Sequence, residues 1–206
     1  MKPQQPLLAI ALALSASIAG FGNSPADQIR RVRLQTLRAS TPGTVRLTLL
    51  ERAYLDTAGI LDTRDRCSQF FGGTASGRVL YELVVRLQER SSNDSRTGLR
   101  MSGAFGIYVN EENGARYRLF EEAELNSAGP FYKSKTFPTE PFVPNVGNFR
   151  PNTRQARVLI LLHELAHLVK GSNGTWLIPD DGGNAQLSRL NTLTVESMCK
   201  QQIRAL

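Results

Sequence analysis

One segment constrains this chain more than any other: "RVLILLHELAHLV", residues 157–169, is apolar around its whole circumference if it is helical. A helix that is greasy on every side belongs in the centre of a domain. Yet this one carries both histidines of the 206-residue chain, His163 and His167, with Glu164 between them. Burying two imidazoles and a carboxylate without partners is costly, and a divalent cation removes that cost. On a helix, residues four apart stand on one face, one turn above the other. His163 and His167 therefore aim two ring nitrogens at one point, at the roughly 2.0–2.1 Å that zinc prefers. Glu164 is turned away by about a hundred degrees. It is free to hold a metal-acidified water and take its proton. Two ligands and a general base on two turns is the logic of the His-Glu-x-x-His pattern. Short patterns also arise by chance, and two core histidines bonded to backbone carbonyls are the alternative. A chain that has only these two histidines, at the required spacing, favours the metal.

"HELAH" resembles the active-site helix of the zincin metallopeptidases. The resemblance covers that helix and implies an α+β, zincin-like single domain with a small sheet whose edge strand holds the substrate. It implies Zn2+ as cofactor, His163 and His167 as ligands, and Glu164 as the catalytic base. The chain departs from the metzincin subgroup, whose pattern puts Gly and His where Lys170 and Asn173 stand. With no third histidine, the third ligand is a carboxylate, a water or a cysteine. Asp180 and Asp181 in "GTWLIPDDGG" resemble the aspzincin (deuterolysin) arrangement, in which an Asp shortly after the second His completes the site. The spacing here is longer than in that group, and its Gly-Thr-x-Asp signature is half met by Gly174-Thr175. Glu196 lies at a separation closer to that of gluzincins. Secreted bacterial proteins with HEL(A/G)H, a Pro-Asp-Gly-like loop and a final Asn-Thr…Val…Cys helix are also similar. That likeness ranks Asp181 first, Glu196 second and Asp180 third. An ordinary acidic turn before a helix is the alternative for both Asp residues.

The N-terminus has one Lys followed by an apolar run from Leu7 to Ala19. Ser17 and Ala19 suit a signal-peptidase site, so residues 1–19 read as a signal peptide and 20–206 as the zincin-like domain. The run is shorter than the ~20 residues a membrane span needs. Export makes sense of Cys67 and Cys199, which are expected to pair in an oxidising compartment. The formal net charge is +7, but the 25 Lys and Arg residues are scattered among 18 acids and form no compact basic patch with interleaved aromatics, so nucleic acid is not an expected partner.

The periodicities order the chain as α, then short β, then α. Helices are expected from about Thr44 to Ala58, through Val79, Leu80, Leu83, Val84 and Leu87, from Asn152 as N-cap, and from Gln186 to the end. Strands are expected at 106–110 and 115–120 around an "EENG" turn, with "AELNS" as a further extended piece. In the last helix, Leu190, Leu193, Val195, Met198 and Ile203 define no clean apolar face, so phasing does not choose between Asp181 and Glu196. The expectation is a secreted or periplasmic monomer, free of membranes when mature, that hydrolyses peptides or proteins. A zincin-like binding module without turnover, or a non-peptidase zinc hydrolase, is the alternative.

Overall fold

The computed structural model describes residues 48–90, 94–109, 116–134 and 142–206, with the backbone alone for 104 and 105. Along the chain run α1 (Leu49–Asp62), α2 (Arg66–Phe70), α3 (Ala75–Arg86), β1 (Leu87–Arg90), β2 (Leu99–Val109), β3 (Arg116–Asn126), α4 (Arg154–Leu168) and α5 (Ala185–Arg204). The architecture is α+β, with helices on both sides of a small sheet in the chain order. The expected signal segment 1–19 and the "EENG" turn at 111–114 lie outside the described residues.

Local chemistry explains the element boundaries. The Thr48 hydroxyl accepts from the Glu51 N–H at 3.2 Å, while the Thr48 N–H donates to Glu51 Oε2 at 2.7 Å. This reciprocal capping box starts α1 at Leu49 rather than Thr44, and the helix runs past Ala58 to Asp62. Val79, Leu80 and Leu83 of α3 face the core, but Leu87, expected to continue that helix, opens β1 instead. The N-cap of α4 is Thr153, whose Oγ1 accepts from the Ala156 N–H at 3.2 Å, and not Asn152 as expected. Asn152 sits one residue earlier at φ 59°, a left-handed conformation that its short polar side chain tolerates. Asn184 caps α5, its Oδ1 accepting from Gln186 and Leu187.

The sheet has β3 in the middle, parallel to β1 and antiparallel to β2. The expected short strands prove to be parts of longer ones, and "AELN" continues β3 rather than standing alone. One extra residue enters β2 between Ser102 and Phe105. Gly103 takes φ 84° there, which glycine adopts freely, so the strand bends around a bulge.

Every residue of α4 from Val158 to Leu168 is buried. The helix packs against α1, α3, α5 and β3, which is what its all-round apolarity requires. Arg154 ties its first turn to α1, donating from Nε and Nη2 to the two Asp56 oxygens at 2.6 Å each. At the other end, Val169 bridges to Tyr117 of β3.

Cys67 of α2 and Cys199 of α5 form a disulfide across 132 residues of chain. Among the described residues, no helix is long and apolar enough to cross a membrane. Removing a native disulfide typically costs about 2–5 kcal/mol, because the unfolded chain gains freedom. A Cys67→Ala/Cys199→Ala variant should lose stability of that order in urea unfolding. An unchanged midpoint would contradict this.

Candidate metal centre

His163 and His167 stand on successive turns of α4 with their ring centroids 4.9 Å apart. Their Nε2 atoms approach to 3.1 Å. The third donor comes from the chain that leaves the helix. Lys170 bridges to Trp176, and the Gly171 N–H donates to Thr175 O at 2.8 Å. This turn reverses the chain and brings Pro179, Asp180 and Asp181 back beside the histidines. Asp181 Oδ2 lies 3.3 Å from His163 Nε2, and Asp181 Oδ1 lies 3.7 Å from His167 Nε2. Among the described residues, His163, His167 and Asp181 are the one group of His, Cys, Asp and Glu able to hold an ion, their donor atoms all within 4.8 Å of one another.

The spacing can be compared with a metal's demands. Around a four-coordinate zinc with bonds of about 2.0–2.1 Å, neighbouring donors stand about 3.3 Å apart. The two separations from His163 Nε2, 3.1 Å to His167 Nε2 and 3.3 Å to Asp181 Oδ2, lie close to that edge. The other carboxylate oxygen stands 3.7 Å from His167 Nε2, so the three side chains converge closely enough to offer donors to one small cation. His167 Nδ1, the ring nitrogen turned away from the cluster, is buried without a hydrogen-bond partner, Asp180 Oδ1 standing 3.9 Å from it.

Charge states agree with the spacing. Burial drives His163 toward the neutral imidazole, and the attraction of Asp181 only partly opposes it. Burial pushes the Asp181 carboxyl up, but its polar contacts with His163, His167 and Ser188 outweigh it and hold the group far below the usual carboxylate range. Neutral imidazole beside an ionised carboxylate is the state a divalent cation binds. Burial first, and then the negative charge of Asp181, push Glu164 well above the ordinary carboxyl value. Glu164 is 9% exposed, and its carboxyl makes no hydrogen bond among the described residues.

The other carboxylates have different work. Glu196 is 2% exposed, and its oxygens accept from the Asn148 N–H at 2.9 Å and from Asn148 Nδ2 at 2.9 and 3.1 Å. It anchors the 146–149 turn, where a Cβ on Gly147 would stand 2.2 Å from Glu196 Oε2. Asp180 accepts from both terminal nitrogens of Arg118. Its side chain is 59% exposed, against 20% for Asp181. The cysteines are joined to each other and are not available as ligands.

Sequence reasoning did not single out three residues that support this cluster. Arg118, buried on β3, donates from Nε to His167 O at 2.8 Å and stacks its guanidinium 4.3 Å from the Trp176 ring. It thereby satisfies a carbonyl at the C-terminal end of α4 while holding Asp180. Asn191 of α5 donates from Nδ2 to Pro179 O at 2.8 Å and to Asp181 Oδ1. Thr192 Oγ1 lies 3.0 Å from His163 Nδ1. The available signals were an arginine inside an apolar β run and the Asn-Thr pair of the last helix.

No family model, curated protein or solved structure matches this chain. Asp181→Ala should abolish uptake of divalent metal in equilibrium dialysis. Glu196→Ala should leave uptake intact while lowering stability by about 1–3 kcal/mol, the cost of the buried donors left unpaired. The reverse pattern would move the third ligand to Glu196.

Proposed function

We propose that this protein is a zinc-dependent peptidase that works outside the cytoplasm and resembles the zincins in its active-site helix. The observation that carries this reading is the convergence of donor atoms from His163, His167 and Asp181 to within 4.8 Å of one another, with Glu164 adjoining on the same buried helix.

Three protein ligands leave the fourth position of a tetrahedral site open, as catalytic zinc requires and structural zinc does not. A bound zinc supplies a Lewis acid that polarises a scissile carbonyl and lowers the pKa of a water to about 7. His163 and His167 would hold it through Nε2, and Asp181 through its carboxylate. A cation held beside it would favour the ionised Glu164 carboxylate against burial and the Asp181 charge. That carboxylate would take the proton of the attacking water and return it to the departing amine nitrogen. Its freedom from competing hydrogen bonds among the described residues supports that role. The substrate is a peptide or protein, and one chain supplies the three ligands and the base. Work outside the cytoplasm is supported by the disulfide, which persists in oxidising compartments, and by the N-terminal apolar run from Leu7 to Ala19.

Glu164→Gln should cut casein hydrolysis by at least about 100-fold, the usual lower range for losing a general base. The variant should keep its zinc, and a chelator should stop the wild type until zinc is returned. If Glu164→Gln digests casein as fast as the wild type, the mechanism is wrong. A wild type that holds zinc and digests nothing would instead be a binding module.

A further inference from the structure

The Thr192 hydroxyl has a single proton and two polar neighbours. Its Oγ1 lies 2.8 Å from Ser188 O, one helical turn back, and 3.0 Å from His163 Nδ1. A backbone carbonyl can only accept, so the bond to Ser188 takes the hydroxyl proton. What Thr192 then offers His163 is a lone pair, which Nδ1 meets only as an N–H donor. The imidazole proton is thereby fixed on Nδ1, and the free lone pair of Nε2 faces His167 and Asp181.

The preceding residue completes the arrangement. Asn191 is buried, and its amide nitrogen donates to Asp181 Oδ1 while also holding Pro179 O. Both bonds run from donor to acceptor, so they fix the carboxylate with Oδ2 toward His163. The other imidazole lacks such support: His167 Nδ1 has no partner, and Asp180 is engaged by Arg118.

We propose that Thr192 and Asn191 are positioning residues through which α5 sets the His163 tautomer and the Asp181 rotamer before metal arrives. The inference rests on the zinc-peptidase reading and adds which half of the centre is built in advance. It excludes a different use of the same contacts, in which Thr192 donates to Nδ1 and a His163 Nε2–H closes a metal-independent hydrogen-bond cluster.

Long-range proton–nitrogen correlation spectra of the metal-free wild type separate the two. His163 should show a pyrrole-type Nδ1 and a pyridine-type Nε2, and the opposite assignment would overturn the proposal. Thr192→Val keeps the shape and removes the hydroxyl. Its zinc affinity, measured against a chelating dye, should fall about 10–100-fold, the usual effect of losing an outer partner of a ligating histidine. Thr192→Ser should restore it. An unchanged affinity in a folded Thr192→Val protein would overturn the inference, and if that variant does not fold, the wild-type nitrogen spectrum decides alone. A wild type that binds zinc with its Nε2 protonated in the metal-free state defeats this inference only. A wild type that takes up no zinc defeats the peptidase reading and this inference together.

Discussion

Two imidazoles and two carboxylates, one of them nearly closed off from water, meet toward the C-terminal end of a helix that is buried along its length from Val158 to Leu168. Polar groups placed there without partners would oppose folding by several kcal/mol. The geometry of α4 makes the conflict sharper, because successive turns direct two nitrogen atoms at each other across 3.1 Å. A cation that accepts both lone pairs and one negative oxygen would resolve it. Much of the surrounding structure holds those three donors in register: Arg118 grips the end of α4, the 170–176 turn carries Asp181 back, and α5 lies alongside.

The last helix joins the site to the core. Ser188, Asn191, Thr192, Val195 and Cys199 fall on one face of α5 at helical spacing. The first three are polar and reach Asp181, His163 or the helix's own backbone. The last two are buried apolar anchors, with Cys199 bonded to Cys67. Glu196, on the adjacent strip of the helix, fixes the turn at Asn148. One face of one helix therefore serves stability toward its C-terminus and the candidate metal site toward its N-terminus, with the disulfide on that same face.

The sequence told most where its pattern had a single cause. The all-round apolarity of residues 157–169 has one solution, a central helix, and the spacing of His163 and His167 follows from that helix's pitch. α5 was harder to read for the opposite reason. Its inward face mixes Asn191, Thr192 and Glu196 with Val195 and Ile203, so no apolar stripe marked which side faced the core. The choice among Asp180, Asp181 and Glu196 depended on long-range contacts. Arg118 engages the first, Asn191 orients the second and Asn148 engages the third. None of these partners is near its carboxylate in sequence except Asn191. Boundaries shifted where side chains rather than periodicity decide them, as at the Thr48–Glu51 capping box and at Thr153.

The central claim is that three side chains share one ion. A crystal of the purified protein, measured on both sides of the zinc absorption edge, tests it most directly. The account predicts one anomalous peak within bonding distance of His163 Nε2, His167 Nε2 and the Asp181 carboxylate. A peak elsewhere, or none, with the two imidazole nitrogens still in direct contact in zinc-supplemented crystals, would contradict it.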